Sequence, residues 1–273
     1  RKEKRIQLRS MGYVAPAMLL LIFLLVIPLF YTLYCSLYNL DYLVKGDFVG
    51  LGNYVRLLKD IRISKSLLFT FEITIISTLL SVGIGLLLAL WVDREHGIFA
   101  YLIEMFGLIP WVISMMVAAL LWRWLFNGDL GLFNMILKIL GHNPIYVVEN
   151  KNSAIIALIL AGLKSLDPTL IEAAKVDGAS PWQMLWHIKL PLIKTQLLLS
   201  IIVLTVSNFT NNTVPKVLTS GGPNDATNVI TLFQYNLGFR YYQFGTSAAL
   251  SILIMLITSL IIVLYIKVSN YKI

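Results

Sequence analysis

The sequence is short of charge, cysteine and histidine, and each shortage closes off a class of protein. Only 13% of its 273 residues are charged, against about 25% in soluble globular domains, which argues against a water-soluble fold. The single cysteine, Cys35, can close no intrachain disulfide, so a disulfide scaffold is excluded. The three histidines, His96, His142 and His187, stand far apart without metal-ligand spacing, so no metal is expected. No phosphate-binding Gly-Lys-Ser/Thr loop occurs, and no nucleophile stands near a base. The chain is therefore expected to be no enzyme, with no catalytic residue and no cofactor of its own.

What is abundant is apolar. Hydrophobic residues make up 58% and the mean hydropathy is +0.79. Four runs carry no charge at all, Ser10–Leu40, Met105–Trp122, Thr195–Pro215 and Tyr241–Ile266; a fifth, Leu67–Val92, carries only Glu72. Crossing a bilayer takes about 20 apolar residues as a helix, and each run is near or above that. The composition predicts an all-α, polytopic transmembrane bundle in one domain, 1–273.

The net charge of +8 and pI of about 9.5 do not point to nucleic acid. Arg1, Lys2, Lys4, Arg5 and Arg9 precede the first run, and the other basic residues sit mainly in loops without interleaved aromatics. The positive-inside rule explains them and places the N-terminus in the cytoplasm. The first run is far longer than the roughly 7–15 apolar residues of a cleaved signal, so it reads as an anchor. Spans are expected at Val14–Tyr38, Leu67–Val92, Ile103–Phe126, Thr195–Val214 and Tyr241–Ile266, with Lys267 and Lys272 at an inner C-terminus. Asn39–Ser66 holds Gly46, Gly50 and Gly52 and cannot be one helix. Trp111, Trp122, Trp124, Tyr241 and Tyr242 read first as interfacial anchors, and Glu72 as a carboxylate near the outer end of its helix.

The count of crossings then fails. Asn152–Leu163 is 12 residues, about 18 Å of helix against a core of about 30 Å, and cannot cross alone. After three crossings Lys164–Lys194 would lie outside, although it is amphipathic and basic. Its local pattern is two short helices with an elbow. Asp167-Pro168 starts one and Gly178 ends it. Ser180 to Gln183 forms a capping box for the next, which Leu190-Pro191 closes.

That elbow carries a long and specific string. Glu172-Ala173-Ala174, three residues, Gly178, nine residues, Ile188, one residue and Leu190-Pro191 resembles the EAA loop of ABC importer permeases. Gly221-Gly222-Pro223 with Thr219 and Thr227, Leu51-Gly52-Asn53-Tyr54, and Trp122-Arg123-Trp124-Leu125-Phe126 through Gly131-Leu132-Phe133-Asn134 are similar to the carbohydrate branch, the maltose-type (type I) importers. The resemblance implies a permease bundle of about six core helices in a prokaryotic inner membrane. It also implies a second homologous permease, two cytoplasmic ATPases that bind ATP and magnesium, and an extracytoplasmic solute-binding protein. Residues 164–194 would be the cytoplasmic coupling loop, with Glu172, Ala173, Ala174, Asp177, Gly178 and Pro191 meeting the ATPase. The near-absence of side chain at Ala173 and Ala174 suits a close groove.

The family has a complete span before Ala161-Gly162-Leu163, which this sequence lacks. One to two dozen residues, about a 20-residue span, are expected to be missing near 157–161. Restoring them returns the elbow to the cytoplasm.

Near the outer end of Thr195–Val214, Ser207, Asn208 and Asn211 stand out, with positions 208 and 211 on one helical face. A carboxamide offers donor and acceptor together, as a sugar hydroxyl requires. Such residues line a cavity or join helices; the resemblance implies substrate contacts. The alternatives are an ion-coupled secondary transporter, for which Glu72 alone is thin support, a membrane-embedded enzyme, which the lack of clustered His, Asp or Glu disfavours, and an ABC importer of a non-sugar solute.

Overall fold

A computed structural model of the chain describes residues 15–42, 44–92, 112–146 and 193–268, with positions 98, 101, 102, 105, 155 and 191 between them. Within these ranges four helices are long and apolar enough to cross a membrane: α1 (Ala15–Ser36), the Ile61–Leu88 part of α3 (Ile61–Val92), Lys194–Leu218, and Phe244–Lys267. The shortest, at 22 residues, is about 33 Å of helix at 1.5 Å per residue, enough for a hydrocarbon core of about 30 Å.

The chain divides into two compact units, residues 1–61 with 234–256, and residues 62–233 with 257–273. In the first unit α1 ends at Ser36, two residues before the expected Tyr38, because Tyr38–Asp41 pairs as β1 with β2 (Val44–Phe48) in an antiparallel hairpin. Helix α2 (Gly52–Lys59) follows, so 39–66 is indeed not one helix. Asn53, 1% exposed, holds these pieces together. Its Nδ2 donates to the carbonyls of Ser36 and Tyr38, both at 2.9 Å, and its Oδ1 accepts from Thr246 Oγ1. Tyr54 Oη lies 2.7 Å from Ser36 Oγ. A helix end leaves carbonyls without intrahelical donors; Asn53 supplies one. Gly245 passes so close that a Cβ there would meet the Tyr38 carbonyl, which only glycine permits.

In the second unit the expected third span, 103–126, is not one helix. Among the described residues the helix α4 runs Met115–Leu125, and Ser114 before it is extended (ψ 139°). Trp122, expected as an interfacial anchor, stacks on Phe126 at 5.4 Å and packs on the core of Ala119, Phe126, Val214 and Leu218. Helix α5 (Leu132–Ile139) is held by Asn134, whose Nδ2 donates to the carbonyls of Asn127, Gly128 and Ile145 and whose Oδ1 accepts from Ile145 N.

The units share an inverted pattern. The large apolar side chains of α1 from Met18 to Ile27 are all exposed, whereas every buried position of α3 from Ser66 to Ser81 is a hydroxyl: Ser66, Thr70, Thr74, Ser77, Thr78 and Ser81. Steps of three and four put these on one helical face. In lipid the apolar side chains need no burial, and small polar residues supply helix–helix contact.

The coupling-loop residues Glu172, Ala173, Ala174, Asp177 and Gly178, and the expected break near 157–161, lie outside the described residues; of that loop only Pro191, Ile193 and Lys194 are described.

Candidate functional site

The expected span Thr195–Val214 is a broken helix. Helix α6 (Lys194–Thr210) stops at Asn211, whose ψ of 114° is extended, and α7 (Thr213–Leu218) resumes after Asn212. Pro215 explains the break. It lacks the N–H that would return to the Asn211 carbonyl four residues back, and its ring would clash there. The freed carbonyl accepts from Thr231 Oγ1 instead, at 3.4 Å. The Asn211 Oδ1 accepts from the backbone N–H groups of Thr213 (3.0 Å) and Val214 (3.3 Å), two of the orphan donors at the start of α7. Arg123 Nη1 donates to the Val217 carbonyl at the other end, at 3.2 Å.

Beside this break lies a small recess of about 30 Å³, lined by Ile73, Ser77, Asn208, Asn211, Val214, Pro215 and Val229. That is room enough for a water-sized polar group, and the recess is open on one side. Asn208 is tied back to α3 through Nδ2, which donates to Thr78 Oγ1 at 3.1 Å. Ser77 is 4% exposed and reaches the recess wall. Thr74 Oγ1 and Ser81 Oγ, about one turn to either side of Ser77 on the same face, are buried without a hydrogen-bond partner. An orphaned buried hydroxyl costs about 1–3 kcal/mol, so this face is polar beyond what packing needs.

The next segment fixes the recess from a third side. Helix α8 (Ile230–Phe239) begins where Ile230 N donates to Thr70 Oγ1 at 2.8 Å, and Thr70 Oγ1 in turn donates to the Ser66 carbonyl. The Gly221-Gly222-Pro223 turn before it is closed by Thr227 Oγ1, 2.7 Å from Thr219 Oγ1 and 2.6 Å from the Gly222 carbonyl. Gly221 there has φ +84°, the left-handed region that glycine enters freely.

The structure therefore brings together two of the three residues singled out in sequence, Asn208 and Asn211. Ser207 is exposed and does not line the recess. The wall from α3, Ser77 with Thr78 behind Asn208, was missed; the recurrence of hydroxyls at 70, 74, 77/78 and 81 was the available signal. Among the described residues, none that lines the recess is ionisable. Glu72 is on the exposed side of α3. Among the described residues no group of three His, Cys, Asp or Glu could hold a metal.

The family described as binding-protein-dependent transport system inner membrane component matches residues 81–270. The trehalose/maltose transport system permease protein MalF of Thermococcus litoralis is 30% identical, covering 96% of this chain and 95% of its own. The sn-glycerol-3-phosphate transport system permease protein UgpA of Agrobacterium fabrum is 30% identical over 89% and 88%. A chain from the crystal structure of a bacterial alginate ABC transporter, in complex with an alginate pentasaccharide-bound periplasmic protein, superposes with a TM-score of 0.80 over 98% of this chain and 96% of that one. At 18% identity that likeness is one of fold. The first alignment runs over 287 positions yet takes in 96% of 273 residues, about 262, which leaves about 25 positions of the relative opposite gaps here. The second runs over 261 positions and takes in about 243 residues, leaving about 18.

Proposed function

The chain belongs to the family of binding-protein-dependent transport system inner membrane components, and from that premise we propose that it is the permease subunit of an ATP-driven importer of a sugar or oligosaccharide. The observation that carries the substrate class is the recess at the broken helix: two carboxamides and a serine, with no ionisable side chain among the described lining residues. Groups that both donate and accept suit hydroxyls, and the resemblance to a trehalose/maltose permease over nearly both whole chains supports the same class.

A small, open recess of this kind is one wall of a pathway. A second, homologous permease supplies the facing wall, an extracytoplasmic solute-binding protein delivers the sugar, and two cytoplasmic ATPases drive the cycle with ATP and magnesium. Glu172, Ala173, Ala174, Asp177, Gly178 and Pro191 carry the coupling contact. ATP closes the ATPase pair, and the state of the permease that fits the closed pair is favoured by the difference in binding. Relative to its family the chain is short by about one membrane crossing near 157–161; the 18–25 unmatched positions in the two alignments support a deficit of that size. With that crossing counted, both termini and the coupling loop are cytoplasmic.

The test is uptake into vesicles holding the four-subunit transporter with its solute-binding protein. ATP-dependent accumulation of a sugar is expected, and Gly178→Val, which denies the elbow its turn, should abolish uptake while the chain still inserts. Uptake driven by an ion gradient without ATP overturns the reading. Full uptake by Gly178→Val overturns the coupling assignment.

A further inference from the structure

Each recess asparagine has one end committed and one end free. For Asn211 the committed end is certain in its chemistry: backbone N–H groups can only donate, so the atom facing Thr213 and Val214 is Oδ1, and the amide NH₂ remains without a partner. For Asn208 the order is reversed. Its Nδ2 donates to Thr78 Oγ1, which leaves Oδ1 as the unpartnered acceptor. Both residues line the recess with Ser77, which is 4% exposed. The recess thus offers a carbonyl acceptor and an amide donor on adjoining turns.

We propose that Thr78 is a positioning residue for the substrate: by holding the Asn208 amide it fixes a matched acceptor–donor pair, Asn208 Oδ1 and Asn211 Nδ2, that selects a neutral, hydroxyl-bearing solute over an anionic one. One hydroxyl satisfies both groups, donating to Asn208 and accepting from Asn211. A carboxylate, sulfonate or phosphate oxygen satisfies only the donor. It also meets the Asn208 carbonyl dipole negative end first, with no cation among the described lining residues to offset its desolvation. Thr78 lies outside the lining and is 5% exposed, so it acts through Asn208.

This inference rests on the sugar-importer reading and is tested so that the two can fail separately. Vesicles holding the complete transporter and its solute-binding protein are offered radiolabelled maltose and trehalose as neutral probes, and glycerol 3-phosphate and an alginate trisaccharide as anionic ones. ATP-dependent uptake of a neutral probe and of neither anionic probe is expected. Thr78→Val, close in shape but unable to accept, should raise the KM for the neutral probe about five- to tenfold, the worth of one hydrogen bond. Its kcat should stay within about twofold, and Thr78→Ser should restore the KM. Transport of an anionic probe overturns the neutral class while leaving a sugar importer standing. An unchanged KM in Thr78→Val, a loss in kcat alone, or no rescue by serine overturns the positioning role. Uptake of a neutral probe that is driven by an ion gradient without ATP, yet still shows the raised KM in Thr78→Val, overturns the importer reading while leaving the positioning role standing.

Discussion

Asn53 and Asn208 are both carboxamides beside a membrane helix, and their surroundings differ in one respect. Asn53 spends both N–H groups on the Ser36 and Tyr38 carbonyls and its oxygen on Thr246. Asn134, at the start of α5, is likewise used at both ends. Asn208 and Asn211 are each used at one end and stand half-buried at a recess. A buried amide with every group satisfied is structure, because native proteins pair nearly all buried polar atoms. A half-satisfied amide at a recess is available for a ligand. The distinction also bears on two motifs singled out in the sequence for their resemblance to the carbohydrate branch. Leu51-Gly52-Asn53-Tyr54 and Gly131-Leu132-Phe133-Asn134 hold local structure, and neither lines the recess.

The largest effect expected from this contrast is on stability. Asn53→Ala strips two donors from carbonyls beside the end of α1 and should destabilise by about 2–4 kcal/mol, read as a lowered thermal midpoint of the purified transporter. Asn134→Ala sits in a more open turn and should cost about 1–2 kcal/mol by the same measurement. Either variant that keeps its midpoint but loses uptake would reverse the assignment of these residues to structure.

Asn208→Leu should do the opposite. It gives up one hydrogen bond to Thr78 and the free carbonyl, so uptake should fall about tenfold or more while expression, assembly and melting stay near those of the parent. A fully active Asn208→Leu transporter would leave the recess as helix packing only.

Much of this was legible in the sequence, and unevenly. The fold class followed from scarce charge and five long apolar runs, because lipid dictates both. The string at 172–191 was legible as a string, while the contacts proposed for it involve another chain and most of it lies outside the described residues. The break at Asn211 was encoded by Pro215 four residues on, yet a run read only for hydrophobicity passes over it. The polar face of α3 was encoded in the spacing of its hydroxyls and was masked for the same reason. The recess itself was beyond reach, because which end of Asn208 is free depends on Thr78, 130 positions away. No local pattern carries that.

Asn211 belongs to both sides of the contrast and therefore sharpens it most finely. Its oxygen caps α7 and its NH₂ is free, so the two roles can be separated within one side chain. Asn211→Ala removes both and should cost about 1 kcal/mol of stability, the worth of a capping interaction, together with uptake. Asn211→Asp keeps the oxygens that accept from Thr213 and Val214 and places a negative charge at a helix N-terminus, where it is worth about 0.3–1 kcal/mol. It exchanges the free donor for a second acceptor and brings a negative charge to the recess edge, where the N–H groups of Thr213 and Val214 face it. The thermal midpoint should therefore hold or rise slightly while the KM for a neutral sugar increases about fivefold, as one lost hydrogen bond requires. If Asn211→Asp transports with an unaltered KM, the free amide is idle and Asn211 joins Asn53 and Asn134 as a structural residue. If the midpoint falls as far as in Asn211→Ala, the cap is not what holds α7, and the break would have to be attributed to Pro215 alone.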